Sequence, residues 1–371
     1  MIPVSRPFVT ADDVDAVTRV LRDGFVSGDA PIVGEFEWAF AQAVHRKHGV
    51  AVANGSVALD LTLHALDLQE GDEVILPSFT IASCLFAVLR TKAKPVFADV
   101  DPVTWNLSIE TLSPVVTPQT RALIAVHTYG LPIDLNPILN LCRDRSITII
   151  EDAAESHTVT YNGAVCGSFG LASTFSFYAN KAITCGEGGM IVTDDESLAV
   201  RLRGLRNLSF LPPPRPRFVH EEIGWNVRMS ALQAALGISQ LTRMGQVTDE
   251  KRRIGLRYHE LLNEQLELVM QPPTTTYSEN KYWVVGVLLP DSCDALAVAA
   301  ALRERGVDTR PFFYPLHRQP LLTKYSLDQQ PALPISERLG SHGLYLPSFV
   351  GISDDDILHS AQQLCAVVTG S

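Results

Sequence analysis

Strand-like and helix-like runs alternate through the first half of this chain, and that alternation limits its architecture more than any other feature. "SVALDLTLHAL" (residues 56–66) carries an apolar face at helical spacing and follows a small polar turn, "NGS". "DEVILP" reads as a buried strand closed by Pro77, "ASCLFAVLRT" as a helix and "KPVFADV" as the next strand. "RALIAVHTYG", "NPILNLCRDR" and "ITIIEDAAE" repeat the order strand, helix, strand. A helix between strands is the crossover that parallel pairing requires. The expected fold class is therefore α/β, with a mostly parallel sheet covered by helices on both faces. In such sheets ligands collect beyond the carboxyl ends of the strands. The ends of "ITIIEDAAE" and "STFSFYANK" are the places to look for chemistry.

The second half is organised differently. "FLPPPRPRF" (residues 210–218) can be neither a helix nor a central strand, because its prolines lack the N–H groups that either needs, and an exposed loop is expected. "MSALQAALGISQLTRM" and "KRRIGLRYHELLNEQL" then read as helices. From about Asp249 a smaller α+β unit is expected, with "YWVVGVLL" as a strand and "DALAVAAALRERG" as a helix. A length of 371 residues suits about two domains. The expected division is residues 1–248, with an N-terminal arm, and residues 249–371.

A net charge of −11 argues against a nucleic-acid partner, which would require a basic face. It does not exclude an anionic small molecule, since a few local donors can hold a phosphate. The six cysteines include no CxxC pair and sit singly, as free thiols of a reduced compartment do. The N-terminal residues show no basic-then-apolar signal pattern, and no apolar run reaches the ~20 residues of a membrane span. A soluble, cytoplasmic protein without a metal is expected.

Four features carry candidate chemistry. Asp152 closes an apolar strand; taken singly it reads as a helix cap. Lys181 sits between an aromatic-rich apolar run and three glycines in "FSFYANKAITCGEGGM". Taken singly it reads as a lysine reaching out from an element end, yet a desolvated amine loses its proton more readily and attacks carbonyls. Gly55 and Ser56 open a helix whose N–H groups can receive an anion. Ser176 adds a hydroxyl five residues before Lys181. Donors for a phosphate, an acid for a ring nitrogen and an amine for an aldehyde are together what pyridoxal 5′-phosphate needs.

With "ANGSVALDL", "EGDEVILPSFT", "VHTYGLPIDL", "IIEDAAES", "GWNVRMSALQAALGISQL" and "FFYPLH" in this order, the chain resembles the DegT/DnrJ/EryC1/StrS family of sugar aminotransferases. The resemblance implies the aspartate-aminotransferase fold (fold type I of the pyridoxal-phosphate enzymes). It implies that Lys181 anchors the cofactor covalently and then moves the proton, and that Asp152 pairs with the protonated ring nitrogen. Gly55, Ser56 and Ser176 would hold the phosphate, with Glu155 near the ring. Asn226 would reach the phosphate from a neighbouring subunit, Arg228 being a close competitor for that role, so an obligate homodimer with shared active sites is implied. The chain departs from the family at Ile81, where many members place an aromatic residue against the ring; Phe79 is the nearest aromatic that could compensate.

On the substrate side the resemblance implies a nucleotide-linked 4-keto-6-deoxyhexose that receives its amino group from L-glutamate in two half-reactions. Ser27 in "FVSGDAP", and Tyr314 and His317 in "PFFYPLHRQP", are the candidate substrate contacts, with Arg310 and Arg318 as possible diphosphate partners. "NKAITCGEGGM" resembles the perosamine synthase branch, which implies GDP-4-keto-6-deoxy-D-mannose as substrate. The alternatives are another keto-sugar nucleotide (dTDP or UDP, at C3 or C4), a cyclitol ketone, or a cofactor-binding regulator or scaffold. A related dehydrating branch carries His where this chain has Lys181.

Overall fold

The structure is a computed structural model that describes residues 1–210, 216, 218–262 and 268–370. The chain opens with α1 (Ala11–Asp23) and α2 (Pro31–Ala43). The strand–helix series follows as β1 (His48–Val52), α3 (Gly55–His64), β2 (Glu73–Pro77), α4 (Ala82–Leu89), β3 (Lys94–Ala98), α5 (Ile109–Leu112), β4 (Thr120–Val126), α6 (Leu135–Asp144) and β5 (Thr148–Asp152). A two-stranded ribbon, β6 (Thr160–Tyr161) with β7 (Ala164–Val165), precedes β8 (Ala172–Ser176), β9 (Gly189–Thr193) and α7 (Glu196–Leu205).

Seven strands form the central sheet in the order β1-β9-β8-β5-β4-β2-β3. All run parallel except β9, which is antiparallel to both its neighbours. Both faces are covered, and the period of two shows which residue goes where. On one face Val50, Val52, Ile124 and Ile150 pack with Leu59 and Leu63 of α3, Leu85 of α4 and Leu202 of α7. On the other, Leu123, Ala125 and Ile149 meet Leu135 and Ile138 of α6. Ala51, Phe175 and Val192 meet Phe36 and Phe40 of α2 on that same side. The expected α/β class is the observed one.

The chain continues through α8 (Ala231–Leu241) and α9 (Met244–Leu262). It then forms β10 (Val285–Leu288), α10 (Ala295–Glu304), β11 (Arg310–Pro311), α11 (Pro334–His342), β12 (Gly343–Leu346) and α12 (Asp354–Thr369). Strands β10, β12 and β11 make a second, antiparallel sheet with its own core, including Val285, Val287, Leu344, Tyr258 of α9 and Leu364 of α12. Residue 249 lies inside α9. The N-terminal arm runs along this smaller sheet, where Ile2 N–H donates to Gly306 C=O at 2.8 Å and Ser348 N–H donates to Val4 C=O at 3.3 Å.

One expectation needs adjustment, and two segments lie largely outside the described residues. Strand β8 stops at Ser176, not at Lys181, because the ladder to β9 ends there. Phe177 then pairs with Gly188 and Cys185, and Lys181 rides the loop between them. The proline-rich stretch, residues 210–218, and the end of "KRRIGLRYHELLNEQL" fall largely outside the described residues.

Candidate active site

A cavity of about 660 Å³ opens at the carboxyl ends of β1, β2, β5 and β8. Helix α3 begins at its wall because Asn54 is a good cap: its side chain accepts the Val57 N–H at 2.9 Å. The first-turn N–H groups have no partner within the helix and carry the positive end of its dipole. Glycine is required here for close approach. A Cβ on Gly55 would lie 2.8 Å from Ser176 Cβ, and one on Gly189 only 2.4 Å from the Asn54 carbonyl group. The turn before α3 is thereby pressed onto the ends of β8 and β9. Ser56 Oγ lies 2.6 Å from Ser83 Oγ, and Ser176 lines the same wall.

Asp152 ends β5 almost fully buried. Its Oδ1 accepts the Ala154 N–H at 3.1 Å and its Oδ2 accepts the Cys84 thiol at 3.3 Å. Burial raises its pKa, while these two donors and the Lys181 charge act in the opposite direction. One strand-end carboxylate therefore faces the cavity with its geometry fixed from both sides.

The Lys181 side chain is 8% exposed, with Nζ 3.8 Å from Glu155 Oε1 and 3.5 Å from the centre of the Trp283 ring. Burial lowers its pKa against the pull of Glu155 and Asp152. Glu155 is lifted by burial to about 7, although Lys181 and the Tyr129 N–H, which donates to its Oε2 at 2.8 Å, favour the ionised form. An amine and two carboxyls thus share a buried site whose protonation is set by burial first and mutual charge second.

Gly55, Ser56, Ile81, Asp152, Glu155, Ser176 and Lys181 all line this one cavity. Ile81 stands at the start of α4 and is 44% exposed, while Phe79 is turned into the core against Tyr129 and Phe312. Phe79 therefore offers no ring to the cavity. Ser27, Asn226 and Tyr314 are exposed and lie outside the lining. Asn226 bridges Asn207, to which Arg228 also donates. His317 is buried, with Nδ1 2.6 Å from Ser78 Oγ and Nε2 2.9 Å from Glu337 Oε1, so both ring nitrogens have protein partners. Arg318 is likewise paired with Glu337 at 2.7 Å.

Sequence reasoning missed several supports. By type, Cys84 is one of six single thiols and Trp283 belongs to the strand-like run "YWVVGVLL". Glu151 is fully buried and accepts from His127 Nε2, Gly167 N–H, Phe169 N–H and Ser173 Oγ. His127 takes the Ile133 N–H on Nδ1, so its hydrogen resides on Nε2. This network braces the end of β5 directly behind Asp152. The acid–acid pair "ED" was its one visible trace in the sequence.

The donor set fits pyridoxal phosphate: N–H and hydroxyl groups around Gly55, Ser56 and Ser176 for a phosphate, Asp152 for a ring nitrogen, and Lys181 for an aldehyde. The model of the DegT/DnrJ/EryC1/StrS aminotransferase family matches residues 7–364. The chain is 34% identical over 363 residues to a GDP-perosamine synthase of Escherichia coli O157:H7, covering 98% of this chain and 97% of that one. It is 36% identical over 358 residues to a GDP-perosamine synthase of Caulobacter vibrioides, covering 96% and 95%. The crystal structure of the aminotransferase TlmJ from Streptoalloteichus hindustanus superimposes with a TM-score of 0.93 at 30% identity, over 100% of this chain and 99% of that one. The chain belongs to the DegT/DnrJ/EryC1/StrS aminotransferase family, whose members are sugar aminotransferases dependent on pyridoxal phosphate.

Proposed function

We propose that this chain transfers the amino group of L-glutamate to the keto carbon of a nucleotide-linked 4-keto-6-deoxyhexose, most narrowly GDP-4-keto-6-deoxy-D-mannose, giving GDP-perosamine. The observation that carries the reaction type is the convergence of the Lys181 amine, the Asp152 carboxylate and the start of α3 on one cavity. The GDP-sugar is supported by the likeness to the two perosamine synthases. The bound cofactor supplies an electron sink for the carbon that loses its proton.

The residues have distinct tasks in this reading. Asp152, ionised, holds a proton on the ring nitrogen through a charge-assisted hydrogen bond. Lys181 Nζ removes the proton from the amine-bearing carbon of the donor and returns it at the next position; with the sugar it runs the same transfer backwards. Its depressed pKa leaves a free base for that work. Glu155 balances the charge beside Lys181. Gly55, Ser56 and Ser176 would hold the phosphate, and Ile81 would pack beside the cofactor ring. Ser27 and Tyr314 contact the sugar nucleotide, whereas His317 holds the Ser78 turn to Glu337.

In the same proposal the protein is a cytoplasmic homodimer. Asn226 of the partner subunit reaches the phosphate, so each site is completed across the interface. Exposed Phe25, Trp38 and Ile223 support a covered face. All six cysteines are free, as a reducing compartment allows. No described helix is long and apolar enough to cross a membrane. The experiment is a panel of GDP-, dTDP- and UDP-linked keto sugars incubated with the holoenzyme and L-glutamate. The 4-amino product should form from the GDP-mannose derivative at a kcat/KM at least tenfold above the others; turnover confined to another nucleotide would overturn the substrate assignment.

A further inference from the structure

Beside the segment that leads into Lys181, residues 178–180, lies a second, smaller cavity of about 150 Å³. The N-terminal arm closes one side, and Lys251 of α9, Arg310 of β11 and Ser348 approach from the smaller sheet. Tyr178, Asn180, Trp283 and Tyr345 line both this cavity and the large one, so the two are neighbours. A narrow cleft runs on from here to Lys181 and Glu155.

The charge of this space is one-sided. It is lined by two cations, and among the described residues no Asp or Glu lines it. Among the described residues, the partly buried Lys251 Nζ donates to the carbonyl and hydroxyl of Ser348. Burial alone pushes this amine down to about 7. Arg310 lies against the Tyr345 hydroxyl. The Asn180 side-chain oxygen is buried with no hydrogen-bond partner. Amide O and N are interchangeable by a ring-like flip of the side chain, so this end can equally present N–H donors. A partly buried amine and a guanidinium face one small cavity with no acid among its described lining, and an unpaired amide oxygen lies in its wall; an anion would complete all three.

We propose that this cavity binds a carboxylate of the amino donor, with Lys251 and Arg310 as its charge partners and Asn180 as a third donor. The proposal rests on the aminotransferase reading above and adds the donor's subsite to it. Size favours this occupant: a carboxylate with a few carbons fills the small cavity, whereas a nucleoside diphosphate needs the large one. The narrow cleft that Lys251 and Asn180 share with Lys181 and Glu155 gives a dicarboxylate held here by one end a path toward the Lys181 amine. The guanidinium suits a planar carboxylate by its paired N–H groups, and the ammonium adds a point charge.

The test uses glutarate, an unreactive dicarboxylate, titrated calorimetrically into the holoenzyme, with GDP as a control. Lys251→Met and Arg310→Leu should each weaken glutarate binding by about 10- to 100-fold, the range for a lost charge-assisted bond. GDP binding should change by less than about twofold. Lys251→Arg should retain most of the glutarate affinity, and Arg310→Leu, at an exposed strand residue, serves if Lys251→Met fails to fold. Unchanged glutarate binding overturns the subsite. So does weakened GDP binding with glutarate retained, which would make this a diphosphate site, or equal loss of both ligands. The wild-type cofactor spectrum with L-glutamate is read in parallel. If it does not respond, the aminotransferase reading fails; if it responds while the variants bind glutarate normally, only the subsite fails.

Discussion

At Glu155 burial and charge act in opposite directions on one carboxyl, and the balance is measurable. Its pKa rises from the ordinary 4.5 to about 7 because burial outweighs the nearby Lys181 charge. A carboxyl whose pKa is higher folded than unfolded favours the fold below about 4.5. That contribution is lost as pH rises through about 7. Glu155→Gln removes the titration. In the apoprotein, the stability of the variant relative to wild type should therefore increase between pH 4.5 and 8, by at most about 3 kcal/mol. Urea unfolding at a series of pH values checks this; a difference independent of pH would show that folding does not raise the Glu155 pKa. The residue scale also shows why part of the site was legible. Asp152 and Lys181 are charged residues within apolar runs, and Gly55 opens a helix, so each is out of place locally and invites an explanation. Cys84 and Trp283 are ordinary core residues by type. Their partners are 68 and 103 residues away, and only the folded chain brings Cys84 to Asp152 and Trp283 to the Asn180 carbonyl.

Among the elements, α1 shows how a single side chain can dock a helix. Asp13 Oδ2 accepts from Thr10 N–H at 2.9 Å, closing the first turn of α1, and from Gln240 Nε2 of α8 at 2.8 Å. It also pairs with Arg243, between α8 and α9. Burial would raise its pKa, but the Arg243 and Thr10 hydrogen bonds bring it down to about 2. The stabilisation is therefore present above pH ~4 and is lost as pH falls towards 2. Asp13→Ala leaves the Arg243 charge largely buried without its partner and should cost about 3 kcal/mol at pH 7, with a smaller penalty near pH 2.5. Denaturant melts at the two pH values check both parts. Strand and helix types in the first half were legible because burial on two faces writes a continuous apolar run into each parallel strand. Element ends were less so. "FSFYANK" continues the apolar pattern past Ser176, but the hydrogen-bond ladder does not, and nothing local in the sequence marks where a neighbouring strand stops.

For the whole molecule, we propose a division at residues 1–248 and 249–371 with α9 as the joint. The N-terminal arm crosses back to the smaller sheet, a long-range pairing that no local pattern in "MIPVSRPFV" announces. The smaller sheet brings Tyr345 and, from the segment before it, Trp283 to the cavity of the larger one, so both units build the site. The proposed homodimer predicts a solution mass near twice 40.6 kDa by light scattering, and Trp38→Asp, which charges an exposed apolar residue, should shift the protein towards monomer. A wild-type mass of one chain would contradict the shared site. The central claim is that Lys181 carries the cofactor, and borohydride reduction of the yellow holoenzyme followed by peptide mass analysis tests it most directly. The peptide containing Lys181 should gain a pyridoxyl group on that residue; a pyridoxyl group on any other lysine, or on none, would contradict the account.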